Sequence, residues 1–84
     1  MYSGKKIFEF GTCEQANAFG KVATFYGKVN FFGRKVIFLA SLDFSIWRKI
    51  DTLARLVRDK LSATEDVHGL ADEAGLLSAN EDPQ

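Results

Sequence analysis

Cys13 and His68 are the residues of this chain whose types most often carry nucleophilic or metal chemistry. Cys13 falls where a helix is predicted to begin, a place where a thiol can be activated. Activation also needs a base. The single histidine, His68, lies far along the chain in a polar, glycine-containing stretch, and no Cys/His/Asn arrangement is apparent. Cys13 therefore reads as an incidental or buried thiol. A structural zinc takes about four Cys or His ligands, and this chain offers only these two residues. The acids do not follow calcium-loop spacing. Neither G-x-x-x-x-G-K nor G-x-G-x-x-G occurs. The chain is therefore expected to be no enzyme and to use no cofactor and no metal.

Charge is the next chemical signal. All eleven Lys and Arg residues lie between Lys5 and Lys60, together with five acids, so residues 1–60 carry +6. The remainder holds six acids and no base, so residues 61–84 carry −6. Such a split suggests a folded basic unit and an interacting or masking acidic tail. The candidate phosphate- or partner-binding bases are Lys28, Arg34, Lys35, Arg48, Lys49, Arg55 and Arg58. Arg34 and Lys35 sit at a predicted hairpin tip. Arg48, Lys49, Arg55, Arg58 and Lys60 fall on one predicted helix, where a basic face can track phosphates with salt-sensitive affinity. Asp51–Arg55 and Arg55–Asp59 are spaced at i, i+4, so part of that face is expected to pair with itself.

Aromatic residues on a small sheet raise the possibility of base stacking, as in RNA-recognition domains. The match is poor. Ile7-Phe8-Glu9-Phe10 and Val36-Ile37-Phe38-Leu39 lack the glycine and paired aromatics of the usual signature. Phe8, Phe10 and Phe38 read as core. Phe32, beside Lys28 and Lys35, is the fair stacking candidate.

The elements that position these residues follow from periodicity. Lys5–Phe10 is predicted as a strand, with Phe8 and Phe10 on one face and Ile7 and Glu9 on the other. Thr12 is a predicted N-cap, with Gln15 completing a capping-box pattern. The first helix then runs from Cys13 to Tyr26 along Ala16, Phe19, Ala23 and Tyr26. Ala18, Val22 and Phe25 widen this stripe, and Gly27 is a predicted left-handed C′ residue. Lys28–Phe32 and Lys35–Ala40 form a predicted hairpin around Gly33-Arg34, where a first-position glycine fits a type II′ turn. One hairpin face is then Val29, Phe31, Val36, Phe38 and Ala40. The other is Lys28, Asn30, Phe32, Lys35, Ile37 and Leu39. A second helix is predicted from Asp43 or Ser45 to Leu61, on the stripe Ile46, Ile50, Leu53, Val57 and Leu61. Beyond it, Val67, Leu70, Ala71, Ala74 and Leu77 suggest a short helix or docking segment, against which Gly69 and Gly75 argue. Residues 80–84 are expected to be disordered.

The fold class expected is α+β, a small β-α-β-β-α domain. The right-handed crossover rule places the second strand parallel to the first. Inserting the third between them gives a three-stranded sheet of order 1-3-2 with two helices on one face. Over residues 5–61 this order resembles, in topology alone, a ferredoxin-like fold lacking its last strand. The domain is expected to span 1–61, and 62–84 to form an acidic, weakly structured tail. With a single cysteine and no disulfide, no signal-peptide pattern and no apolar run longer than Val36–Ala40, the protein is expected to be soluble and cytoplasmic.

Two liabilities of that fold point to function. The first strand has an open edge, which invites strand addition by a protein partner or a homodimer. The sheet face away from the helices exposes Phe32, Ile37 and Leu39, together with Ile7, unless the tail folds over it. The sequence thus suggests a non-enzymatic protein-binding module that docks to a larger macromolecular assembly and inhibits or regulates it. Small phage or mobile-element anti-defence proteins have this general size and character. The alternative is a nucleic-acid-binding protein whose basic domain is autoinhibited by its acidic tail.

Overall fold

The computed structural model describes residues 2–60 and 67–76. The elements are β1 (Tyr2–Glu9), α1 (Cys13–Ala23), β2 (Lys28–Phe32), β3 (Lys35–Leu42), α2 (Phe44–Lys60) and α3 (Val67–Ala74). The sheet has the order β1-β3-β2, with β3 antiparallel to both neighbours. This is the expected 1-3-2 arrangement of a small α+β domain. A third helix follows α2, where a ferredoxin-like chain would continue into a fourth strand.

Local signals start each element. Thr12 is in extended conformation, and its hydroxyl accepts from the Gln15 N–H at 3.1 Å. Gln15 Oε1 in turn accepts from the Gly11 N–H at 2.9 Å, so the reciprocal cap reaches one residue before Thr12. At the hairpin, Gly33 has φ +62° and Arg34 does not have positive φ. That sign pair fits the type II′ turn and excludes type I′. Asp43 precedes α2, and its carbonyl accepts from the N–H groups of Ile46 and Trp47, each at 3.0 Å.

The first helix ends three residues before the predicted Tyr26. A tight turn follows, with Phe25 N–H donating to Val22 O and Tyr26 N–H to Ala23 O. This turn throws Phe25 into solvent, 70% exposed, instead of onto the apolar stripe. Gly27 does not adopt the predicted left-handed conformation. Its role is close approach: a Cβ there would lie 2.5 Å from Leu39 O and 2.6 Å from the Ala40 Cβ. The backbone after α1 must pass against β3, and only glycine fits.

The register sets two faces. Phe8, Val36 and Phe31 form one cross-strand row on the helix side, and Lys6, Phe38 and Val29 the next. Phe8, Val36 and Phe38 are buried there. Phe19 of α1 packs on Phe8 and Phe10 at ring distances of 4.9 and 5.2 Å, and Trp47 of α2 meets Phe38 edge-on at 5.5 Å. Phe31, on the predicted all-apolar hairpin face, is on the core side but half-exposed, because it covers Gly20 of α1 at the sheet margin.

The segment expected to be a weakly structured tail contributes to this core. Val67, Leu70, Ala71, Ala74 and Leu76 are buried against the rest. α3 packs on α2 and α1, on the helix side of the sheet. Tyr26 Oη donates to Leu76 O at 2.9 Å, and Lys60 pairs with Glu73 at 3.1 Å. Gly75, at φ +91°, ends the helix. Leu61 and Leu77, the remaining tail acids Glu65, Asp66, Glu81 and Asp82, and the expected disorder of 80–84 lie outside the described residues.

Candidate functional site on the open sheet face

The sheet face away from the helices is built from three cross-strand rows. Lys5, Leu39 and Lys28 form one, Ile7, Ile37 and Asn30 the second, and Glu9, Lys35 and Phe32 the third. Strand alternation alone dictates this, since residues directly opposite share a face and every second residue joins them. Ile7 is 57% exposed, Phe32 62% and Leu39 37%; Ile37, on the central strand, is half-buried. Ile7, Phe32, Lys35 and Ile37 line a shallow hollow of about 310 Å³. The four apolar candidates read from the sequence are thus brought together. Among the described residues no helix covers them, because α1, α2 and α3 all lie on the opposite side.

The electrostatics of this face are one-sided. Lys5, Lys28 and Lys35 stand around the apolar centre against a single acid, Glu9, and all four are exposed. Sequence reasoning did not single out Lys5. The signal was present in the alternation Lys5-Ile7-Glu9, which puts Lys5 on the same face as Ile7.

The seven candidate bases do not form one patch. Lys28 and Lys35 lie on the open face, and Arg34 is exposed at the hairpin tip beside it. Arg48, Lys49, Arg55 and Arg58 belong to α2, in the layer behind the sheet. There Arg48 lies over the Phe44 ring at 5.8 Å. The aliphatic part of Lys49 lies against Gly75, and Arg58 Nη1 approaches Glu9 O at 3.5 Å. Asp51 is engaged by Lys6 Nζ at 2.6 Å, a pair between helix and strand where Asp51–Arg55 was expected. Arg55 and Asp59 are exposed.

A second hollow, of about 460 Å³, lies at the start of β1 and of α2, lined by Tyr2, Phe44, Trp47 and Arg48 among others. Its indole is already used: Trp47 Nε1–H donates to Tyr2 O at 3.0 Å. Cys13 is a free, exposed thiol at the first residue of α1, and His68 is exposed on α3. Among the described residues, no group of three or more His, Cys, Asp or Glu side chains is placed to hold a metal ion. No helix among them is long and apolar enough to cross a membrane.

No protein-family model, no curated protein and no solved structure matches this chain.

Proposed function

We propose that this protein is a non-enzymatic binding module that docks through its open sheet face to a protein of a larger assembly and thereby inhibits or regulates it. The observation that carries this reading is the contiguous exposure of Ile7, Phe32 and Leu39 around Ile37 on the sheet face that no described element covers. Apolar surface grouped in this way, with a polar rim, is characteristic of interaction sites. The rim defines the partner's chemistry: three lysines against one glutamate call for an apolar surface bordered by Asp and Glu.

The test is affinity capture from the source cells, comparing the full chain with an Ile7→Thr/Phe32→Thr/Leu39→Thr variant. Threonine preserves strand preference while removing apolar surface. A protein retained by the wild type and lost by the variant supports the reading. Identical recovery by both chains contradicts it.

A second reading has its own observation. Phe32 is exposed beside Lys35 in one row, with Lys28 and Lys5 on the same face, which suits stacking of a base with phosphates nearby. Fluorescence anisotropy with labelled single-stranded RNA and DNA at two salt concentrations tests it. Salt-sensitive binding lost in Phe32→Thr favours nucleic acid, and no binding at low salt removes this reading.

A further inference from the structure

The outer edge of β1 carries a second surface whose pattern matches itself. The Phe10 N–H donates to Arg34 O at 2.9 Å, which extends the β1–β3 register by one pair and fixes its phase. In an antiparallel ladder, residues with both main-chain groups turned toward the partner alternate with residues whose groups turn away. Phe8, Lys6 and Gly4 therefore bond to β3, like Phe10. Glu9, Ile7, Lys5 and Ser3 direct their N–H and C=O groups to the outer edge. Among the described residues no strand pairs with that edge. The β2 edge is poorer. The two-residue turn makes Phe32–Lys35 a bonded pair, leaving Val29 and Phe31 of the strand turned outward, and α1 packs beside them.

We propose that this edge pairs with β1 of a second copy of the chain, antiparallel, about a two-fold axis through Ile7. That register sets Ile7 opposite the second copy's Ile7 and Lys5 opposite its Glu9, and symmetry makes the Lys5–Glu9 pair twice. All three side chains lie on the open face, so an apolar contact at the axis is flanked by two ion pairs. Each facing pair exchanges two main-chain hydrogen bonds. Neighbouring registers lack this match. Centring on Lys6 sets two Lys6 residues opposite each other and Lys5 against Ile7. Centring on Lys5 opposes two lysines, and centring on Phe8 sets Ile7 against Glu9. The Arg58 contact to Glu9 O, long at 3.5 Å and made by an exposed side chain, is replaced by the N–H of the incoming Lys5. The product is one continuous six-stranded sheet in which the two open faces join at Ile7. This inference rests on the edge and its charge pattern and does not require the docking reading.

The test uses the full chain in the absence of any partner. Sedimentation velocity over a concentration series reads the association state of the wild type, Lys5→Glu and Glu9→Lys, with circular dichroism confirming that each is folded. The wild type is expected to dimerise with concentration. Each single variant replaces two attractive pairs by two repulsive ones and is expected to weaken the dimer roughly tenfold or more. An equimolar mixture of the two variants restores both ion pairs in this register, so a heterodimer is expected by native mass spectrometry. A wild type that stays monomeric at its highest soluble concentration overturns the proposal. So do single variants that dimerise as tightly as the wild type, or a mixture that regains no heterodimer.

Discussion

On the helix side of the sheet, Phe8, Val36 and Phe38 disappear beneath α1 and α2; on the other side, Ile7, Phe32 and Leu39 meet solvent. The strands supply both sets from the same short segments, so the difference does not lie in apolar content. It lies in what surrounds each set. The buried set has aromatic partners from the helices, Phe19 and Trp47, at ring distances of 4.9 to 5.5 Å. The exposed set has lysines. A face that serves folding recruits helices, whereas the face ringed by Lys5, Lys28 and Lys35 is, in the docking reading proposed above, the side that an acidic, apolar partner surface would cover.

Substitutions sharpen that contrast. Phe38→Ala removes a fully buried ring beneath Trp47 and should cost about 3–5 kcal/mol by urea denaturation, enough to threaten folding in a domain this small. Gly27→Ala forces a Cβ against the Leu39 carbonyl, a backbone group that cannot step aside. It should lower stability by about 1–3 kcal/mol, read in the same assay. Tyr26→Phe deletes the hydroxyl that donates to Leu76 O. A loss of about 0.5–1.5 kcal/mol, with faster amide exchange in α3, is expected. The smallest effect belongs to the open face: Phe32→Thr should change stability by no more than about 0.5 kcal/mol, since the ring touches little that folding needs.

Much of this was legible in the sequence, for identifiable reasons. Strand alternation is a period of two, so once the Gly33-Arg34 turn fixed the hairpin register, the assignment of Phe32, Ile37 and Leu39 to one face followed. The right-handed crossover then placed Ile7 beside them. The end of α1 was not legible. The apolar pattern continues through Phe25, and nothing in it records that the backbone must turn at Thr24 to bring Gly27 against β3. The third helix was half legible. Val67, Leu70, Ala71 and Ala74 gave the period, but two glycines argued against it. Gly69 lies on the exposed side, and burial of the opposite stripe overrides its low propensity; Gly75 sits past the helix end, where positive φ is useful. Charge counting alone could not show that the basic residues divide between the sheet face and α2, because that division depends on which layer each element enters.

If the open face serves a partner, as proposed above, it contributes little to the fold. Equilibrium urea unfolding of the Ile7→Thr/Phe32→Thr/Leu39→Thr chain, beside the wild type and Phe38→Ala, tests it most directly. The account predicts that the triple variant stays within about 1 kcal/mol of the wild type while Phe38→Ala loses several times that. A triple variant as destabilised as Phe38→Ala would show that the open face stabilises the folded chain itself, and would contradict the account.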